Sequence, residues 1–481
     1  FMKDHFRFSL FAFACIWLAT TMSLCAAAQT IATNTRPNIL FCLADDQSWP
    51  HAGVYGDKTI HTPTQDRVAR NGMRFNYCFS TAPTCSASRA AILTGQYPHR
   101  LKEGANLWGT LDKRFPVYPD LLERAGYVVG FTRKGWGPGN FKAGGRARNP
   151  AGPEFKDFAS FIATVPADKP FCFWFGSHQP HRPYKKGLGL KTGLKPETVE
   201  VPPIWPDVPE VRGDILDYYA EVQIFDHDVG QILDMLEKAG RLTNTLVVLS
   251  GDNGWPFPRA KANLYDAGTR QPLIVQWPGR IKPGGVSDDF INLMDLAPTF
   301  LEAAGLQPLP EMTGRSFIGL LEGTEAAGSR NEVFFERERH ANVRKGDLGY
   351  PMRAVRTRDF LYIRNFHPDR WPAGDPEMWK AVGPFGDVDP GPTKQYILDH
   401  RDDPGVARLF QLAFGKRPAE ELYDVNLDPC QTNNLAGEPG RQQTLQQLRD
   451  RLDRWMKDTA DPRTGPDDGF WDRAAYYGPP P

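Results

Sequence analysis

Four short apolar runs with β character, separated by segments of helical periodicity, constrain the fold of this chain more than any other feature. The runs span residues 38–43, 127–131, 170–175 and 245–249. Between them lie stretches such as PTQDRVARNG and DILDYYAEVQIFDHDVGQILDMLEKAG, whose apolar residues recur at helical spacing. Strands that alternate with helices form a mostly parallel sheet with helices on both faces. The sequence therefore predicts an α/β domain with a mostly parallel central sheet over residues 36–335.

Each of the four runs is followed by polar residues that are suited to chemistry. They are Asp45 and Asp46 after the first run, Arg133 and Lys134 after the second, His178 and His181 after the third, and Asp252 and Asn253 after the fourth. In open α/β sheets, ligands bind beyond the carboxyl ends of the strands, so we expect these side chains to converge. Taken singly, each pair has an ordinary explanation as a turn or a surface residue. Their recurrence at four strand ends favours a functional site.

A cysteine, Cys85, stands at the apparent start of a helix in the segment CSASRAAILTG. At a helix start a side chain meets unpaired backbone N–H groups and the positive end of the helix dipole, and Arg89 follows one turn later. These neighbours favour an anionic or oxidised centre at position 85. The alternative is a small buried residue that only packs.

Oxygen ligands dominate the remaining candidates, because Asp45, Asp46, Asp252 and Asn253 offer three carboxylates and an amide. Such a set suits a hard divalent cation, Ca²⁺ or Mg²⁺, rather than zinc. A cation beside a nucleophile, with Arg, Lys and His around it, is the arrangement expected for transfer of a sulfuryl or phosphoryl group.

Charge and the N-terminal segment bear on partners and location. The 57 Lys and Arg residues equal the 57 Asp and Glu residues, so no net field favours nucleic acid or an anionic membrane. Residues 1–28 combine a basic start, a short apolar run and a small-residue end, which predicts a cleaved signal peptide. A retained membrane anchor is the alternative, but the run is short for a span. We expect export to the bacterial periplasm or the extracellular space, without a membrane anchor.

The cysteines that follow the predicted signal peptide do not define a disulfide framework. Cys42 and Cys172 lie inside apolar strand-like runs, so we expect both to be buried free thiols. With Cys85 committed to chemistry, any pairing among Cys42, Cys78, Cys172 and Cys430 remains open.

The C-terminal third has a different pattern of strand-like and helix-like segments, which predicts a smaller α+β subdomain over residues 336–481. MRAVRTRDFLYIRN and ELYDVNLDP are typical of short antiparallel strands, and TLQQLRDRLDRWMKD is typical of a helix. A loop-rich join is expected over residues 364–407.

Several motifs in the same order carry a family resemblance. From RPNILFCLADDQS through CSASRAAILTG, FGSHQPHRPY and LSGDNG, the chain resembles the type I sulfatases, the formylglycine-dependent enzymes of the alkaline phosphatase superfamily. Within that family, FPRAKANLYDAGT and GYPMRAVRT are most similar to the heparan N-sulfatase (sulfamidase) branch and its bacterial relatives.

The resemblance implies a modified nucleophile and a metal. Cys85 would be oxidised to Cα-formylglycine by a formylglycine-generating or radical maturase enzyme, and one hydroxyl of its hydrate would attack sulfur. Ala87 stands where the family usually has proline, a departure that bacterial sulfatases also accept. The metal, Ca²⁺ with Mg²⁺ as the alternative, would be held by the modified Cys85 and the four oxygen-bearing residues named above.

The resemblance also assigns roles to the basic residues. Arg89 would orient the hydrate, Lys134 and Lys261 would hold sulfate oxygens, and His181 would contact the sulfate or protonate the leaving group. Many family members have a second histidine where this chain has Trp136. Either another group such as His178 then supplies its function, or leaving-group protonation is weaker.

A basic stretch directly after His181 bears on the substrate. Lys185, Lys186 and Lys191 form either a solvated loop or a contact surface for a polyanion, and their closeness to the predicted site favours a sulfated carbohydrate. Two other functions remain as alternatives, a phosphonate or phosphate monoester hydrolase and a non-catalytic protein that binds sulfated glycans. The sugar, the sulfate position and the choice between O-sulfate and N-sulfate stay open.

Overall fold

The structure, a computed structural model, describes residues 36–380, 383–466 and 469–478. The predicted signal peptide, residues 1–28, lies outside these ranges. Among the described residues, no helix is both long enough and apolar enough to cross a membrane.

A seven-stranded sheet forms the centre of the described chain. Its strands are β1 (Asn38–Ala44), β2 (Met73–Phe79), β3 (Val128–Arg133), β4 (Phe171–Gly176), β5 (Thr245–Gly251), β6 (Arg270–Gln276) and β7 (Gly285–Asn292). The order is β3-β4-β1-β5-β6-β2-β7. Only β6 runs antiparallel to its neighbours, and every other pairing is parallel. The predicted mostly parallel α/β sheet is therefore confirmed.

The four predicted strands lie side by side as β3, β4, β1 and β5. Every residue of β1, β4 and β5 is buried, as expected for parallel strands covered on both faces. In the strand register, Leu43 pairs with both Gly176 and Ser250, so the carboxyl ends of these strands lie level with one another. The residues that follow the strands are thereby brought to one edge of the sheet.

Helices cover both faces of the sheet. They are α1 (Pro63–Arg70), α2 (Cys85–Thr94), α3 (Tyr118–Arg124), α4 (Phe158–Ile162), α5 (Leu188–Lys191), α6 (Pro209–Lys238), α7 (Asp266–Thr269), α8 (Leu296–Ala303) and α9 (Ile318–Glu322). Strand β1 shows the two layers: Ile39 and Phe41 pack in the core cluster that includes residues of α2, α3 and α8, whereas Leu40 and Cys42 pack with residues of α1, α4 and α6.

A second, antiparallel sheet forms the C-terminal part, in the order β11-β10-β9-β8. Its elements are β8 (Glu332–Arg337), β9 (Met352–Thr357), β10 (Phe360–Asn365), α10 (Pro392–Asp399), α11 (Ala407–Phe414), β11 (Glu420–Asp424), α12 (Gln442–Asp458) and α13 (Phe470–Arg473). Residues of α12, among them Leu452 and Trp455, share a core cluster with Val355 and Tyr362 of the sheet. This arrangement confirms the smaller α+β region.

Two details of this region refine the sequence analysis. The predicted join over residues 364–407 contains α10, which occupies part of the expected loop. The predicted boundary between residues 335 and 336 falls inside β8, and the chain from Pro37 onward forms one compact unit. The boundary stays a prediction.

The cysteines of the described ranges are all free thiols. Cys42 and Cys172 are buried in β1 and β4, as predicted, and Cys78 is buried in β2. Within these ranges, no disulfide joins any two of Cys42, Cys78, Cys172 and Cys430.

Candidate active site

The start of α2 meets the ends of two central strands. Asp45 and Asp46 follow β1, Asp252 and Asn253 follow β5, and Cys85 is the first residue of α2. The Cys85 sulfur lies 3.5 Å from Oδ1 of Asp45 and 3.8 Å from Oδ1 of Asp46. The structure thus brings together the residues expected to form the metal and nucleophile site.

The oxygen ligands fit a hard divalent cation. One carboxylate oxygen from each of Asp45, Asp46 and Asp252, together with the Cys85 sulfur, all lie within 4.8 Å of one another, and the four residues are buried. The Asn253 amide donates to Oδ1 of Asp46 at 2.6 Å, while its own Oδ1 is buried without a hydrogen-bond partner. Three buried carboxylates and an unpaired amide oxygen are the ligand chemistry that Ca²⁺ or Mg²⁺ prefers.

Two lysines pair with two of these carboxylates. Nζ of Lys134 lies 2.7 Å from both oxygens of Asp45, and Nζ of Lys261 lies 2.7 Å from Oδ2 of Asp46. Burial alone would raise the pKa of Asp45, but Lys134 and the neighbouring cations hold that pKa well below its usual range. Both lysines also line the cleft above Cys85, so their ammonium groups are placed to meet an anion.

Arg89 connects three segments of the site through hydrogen bonds. It is fully buried, its Nε donates to Oδ2 of Asp252 at 2.8 Å, and its NH1 donates to the carbonyl oxygens of Lys134 and Gly135 at 2.8 and 2.9 Å. Burial opposes its charge, but Asp252 and Asp45 raise the pKa of the guanidinium. Arg89 therefore ties α2 to the end of β5 and to the segment that carries Lys134.

Burial disfavours the charged form of the unmodified Cys85 thiol. Burial raises its pKa well above the usual value, more than Lys134 and Lys261 lower it. Desolvation therefore outweighs the nearby cations for the unmodified thiol, and the anionic or oxidised centre expected at position 85 stays a prediction.

The two candidate histidines both line the cleft but differ in their contacts. His181 places Nε2 3.7 Å from Oδ2 of Asp46, and its Nδ1 lies 2.6 Å from the carbonyl oxygen of Arg182. Because a carbonyl oxygen only accepts hydrogen bonds, Nδ1 carries the hydrogen of this bond, and Nε2 faces the site. His178 lies at the surface, and the shielding of part of its imidazole from water lowers its pKa.

Trp136, which the family resemblance aligns with a second histidine, lies next to the start of α2. It is buried, and its indole Nε1 donates to the carbonyl oxygen of Ser86 at 3.1 Å in the first turn of α2. The indole N–H thus bonds to the helix start, and it is far too weak an acid to protonate a leaving group.

A cleft of about 810 Å³ opens above these residues. Its lining includes six predicted site residues, namely Asp45, Cys85, Lys134, His178, His181 and Lys261. The exposed lysines Lys185, Lys186 and Lys191 are not among the described residues that line the cleft. Polyanion contact by these lysines stays a prediction.

Asp389 and His340 are among the polar residues of the cleft that sequence reasoning missed. Oδ2 of Asp389 lies 3.1 Å from Nζ of Lys261. Nδ1 of His340 lies 2.8 Å from Oγ1 of Thr84, and burial lowers the His340 pKa to about 4. Both come from irregular segments of the C-terminal region, where no strand end or helical period marks them.

Comparison with known protein families matches most of the described chain. The family described as Sulfatase matches residues 37–306, and the family described as N-sulphoglucosamine sulphohydrolase, C-terminal, matches residues 251–377. Human N-sulphoglucosamine sulphohydrolase is 30% identical over 508 aligned residues, covering 95% of each chain. An ulvan-active sulfatase from Formosa agariphila is 28% identical, covering 88% of this chain and 75% of its own.

Solved structures share the fold. One is described as a complex with its substrate D-glucosamine-2-N,6-O-disulfate; it has a TM-score of 0.65 and 20% identity, and covers 89% of this chain and 99% of its own. A phosphonate monoester hydrolase from Silicibacter pomeroyi has a TM-score of 0.61 and 17% identity, and covers 89% and 96%. A family match over more than half of the chain, with a relative 30% identical along nearly its whole length, shows that this chain belongs to the sulfatase family of sulfuric ester hydrolases.

Proposed function

We propose that this protein is an exported enzyme that removes sulfate, as an ester or an N-sulfate, from a sulfated carbohydrate. In this proposal Cys85 is converted to formylglycine by a maturation enzyme, and Ca²⁺ is bound beside it. The observation that carries the proposal is the ring of three buried carboxylates and two lysines around the Cys85 sulfur at the floor of one cleft.

The cation would be held by Asp45, Asp46, Asp252 and Oδ1 of Asn253. When bound, it supplies positive charge against the sulfate oxygens, and the hydrate of the modified residue supplies the nucleophilic hydroxyl. The chain's own residues complete the anion site, because Lys134 and Lys261 place ammonium groups at the cleft floor. Fixed charges of this kind stabilise the negative charge that develops in the transition state.

Proton transfer to the leaving group is assigned to His181. Its Nε2 faces the site because Nδ1 donates to the Arg182 carbonyl oxygen, and in the imidazolium form the proton on Nε2 passes to the departing alcohol or amine. Asp252, whose pKa is raised by burial, is the candidate to take the proton of the attacking hydroxyl. His178, on the cleft wall, is a candidate contact for the sugar.

The relatives guide the choice of substrate. Human N-sulphoglucosamine sulphohydrolase matches along nearly the whole chain, and its C-terminal family matches residues 251–377, which supports N-sulfated glucosamine as the first substrate to test. The similarity to an ulvan-active sulfatase makes O-sulfated sugars the second class.

The test is sulfate release from a panel of sulfated saccharides, using protein made in a host that has a maturation enzyme. Conversion of Cys85 lowers the mass of its peptide by about 18 Da, which reports the modification separately from turnover. Cys85→Ala is expected to abolish release. Phosphate and phosphonate monoesters are assayed in parallel, and faster turnover of these esters would overturn the proposal. Tight glycan binding without release by modified protein would instead identify a binding protein.

A further inference from the structure

Two partly exposed aromatic side chains line the cleft without a part in the proposed sulfate chemistry. Trp108 follows the turn after residues 98–105, and Tyr476 lies in the C-terminal tail beyond α13. Their ring centroids are 6.4 Å apart and the rings are inclined by 58°. Both side chains are partly exposed, and they share one cavity with Cys85.

The backbone of Trp108 adopts a conformation that is uncommon for a bulky residue. Its φ of 58° lies in the left-handed region, where a bulky residue is rare and glycine or asparagine is favoured. A tryptophan at such a position needs surrounding contacts that hold it. One of these comes from the tail, because the backbone N–H of Tyr477 donates to the Trp108 carbonyl oxygen at 2.8 Å.

The tail that carries Tyr476 is fixed to the cleft wall. The Arg339 guanidinium donates to the carbonyl oxygens of Asp472, Ala474 and Ala475 at 3.0, 2.8 and 3.2 Å. The Asp472 carboxylate in turn accepts the Gly349 N–H at 2.7 Å. These bonds place the Tyr476 ring before any ligand arrives, which lowers the entropy lost on binding.

The chemistry of the pair suits a sugar ring. Tryptophan and tyrosine offer a large rigid face to the C–H face of a saccharide and a polar edge to its hydroxyls. The cleft, at about 810 Å³, lies in the upper part of the range of about 300–1,000 Å³ for ligand pockets. Such a cleft has room beyond the ring whose sulfate reaches Cys85.

We propose that Trp108 and Tyr476 form a saccharide subsite that stacks against the sugar next to the sulfated one. The natural substrate is then an oligosaccharide of at least two units rather than a free sulfated monosaccharide. This inference rests on the proposed function, because it extends the same cleft.

The test compares Trp108→Ala and Tyr476→Ala with Tyr477→Ala, the neighbouring tyrosine, which is exposed and does not line the cleft. The substrates are N-sulfoglucosamine and a disaccharide that ends in the same unit. Each subsite variant is expected to lower the ratio of kcat/KM for the disaccharide to that for the monosaccharide by about tenfold, mainly through KM. Tyr477→Ala is expected to leave this ratio unchanged, and Tyr476→Phe, which keeps the ring, to retain most of it.

An unchanged ratio in both subsite variants would overturn the inference, as would an equal loss on the two substrates. If mature wild-type protein releases sulfate from neither compound, the proposed function has failed for N-sulfate. Calorimetric binding of an N-sulfated heparin tetrasaccharide to the Cys85→Ala protein then decides the subsite separately. Adding Trp108→Ala is expected to weaken that binding about tenfold. Unchanged binding, or none by the Cys85→Ala protein, would overturn the inference.

Discussion

Lys134 shows how much of the chemistry depends on single charges. Its Nζ contacts both oxygens of Asp45, and it lines the cleft beside Cys85. Lys134→Met keeps the aliphatic stem but removes the ammonium, so we expect kcat for sulfate release to fall about 100-fold, as for a lost oxyanion donor. Lys142→Met, on an exposed lysine outside the cleft lining, is the matched control and is expected to change kcat less than twofold. Equal kcat values for the two variants would contradict a role of Lys134 in binding the sulfate group.

Residues that follow a recognisable strand were the predictable part of the site. The sequence placed Asp45 after β1 and Asp252 after β5, and the parallel register brings both to one edge. Asp389, His340, Trp108 and Tyr476 were not predictable in this way. They lie in irregular segments whose positions depend on long-range hydrogen bonds, such as those from Arg339 to the C-terminal tail.

Among the elements, β9 and the turn after α12 are joined by a fully buried ionic network. Arg353 of β9 donates to Asp461 and to Glu338, and its Nε lies 3.3 Å from Glu336. His99, from the segment after α2, contacts the same Glu336 at 2.9 Å. The network therefore links the small sheet to the segment that follows the Cys85 helix.

Removing the Arg353 guanidinium takes the closest cation away from the fully buried Asp461 carboxylate. We expect Arg353→Met to lower the free energy of unfolding by about 3–5 kcal/mol, measured by urea denaturation. Arg451→Met provides the control, because Arg451 on α12 forms an exposed ion pair with Glu332, and its loss is expected to change the free energy by about 0.5 kcal/mol. Similar values for both variants would show that burial does not decide the strength of this network.

Strands were predictable where burial is continuous and less so elsewhere. Strands β1, β4 and β5 are buried at every residue, and their apolar runs stand out. Strand β2 is only partly buried and its register shifts, and β7 begins with the polar stretch GVSDD. Their strand conformation comes from pairing within the sheet, and tertiary pairing overrides local propensity.

The stability of the whole protein in acid depends on buried neutral histidines. Burial lowers the pKa of His51, which contacts the Tyr218 hydroxyl at 3.0 Å, from 6.5 to about 4. Between these pH values the unfolded chain binds a proton that the folded protein does not, so stability falls as the pH drops from 6.5 to 4. The loss is about 3 kcal/mol.

His51→Gln removes this proton uptake. In urea denaturation, the difference in unfolding free energy between wild type and variant is expected to shrink by about 3 kcal/mol from pH 7 to pH 4. The exposed His61 is the control, and His61→Gln is expected to follow the wild-type pH profile. A pH-independent difference for His51→Gln would contradict a neutral buried imidazole.

The charge balance of the site predicts that cation and anion bind cooperatively. Each buried carboxylate of the site faces a cationic side chain, so a divalent cation or a sulfate ion alone would unbalance a desolvated centre, and the two together restore it. We expect sulfate to bind the Cys85→Ala protein about tenfold more tightly with Ca²⁺ than with a chelator, and by linkage Ca²⁺ to bind more tightly with sulfate. Calorimetric titration measures both.

Asp46→Asn is expected to abolish this coupling, whereas Asp168→Asn, on an exposed carboxylate, is expected to preserve it. Equal sulfate affinities with and without Ca²⁺ would contradict a cation site among these carboxylates.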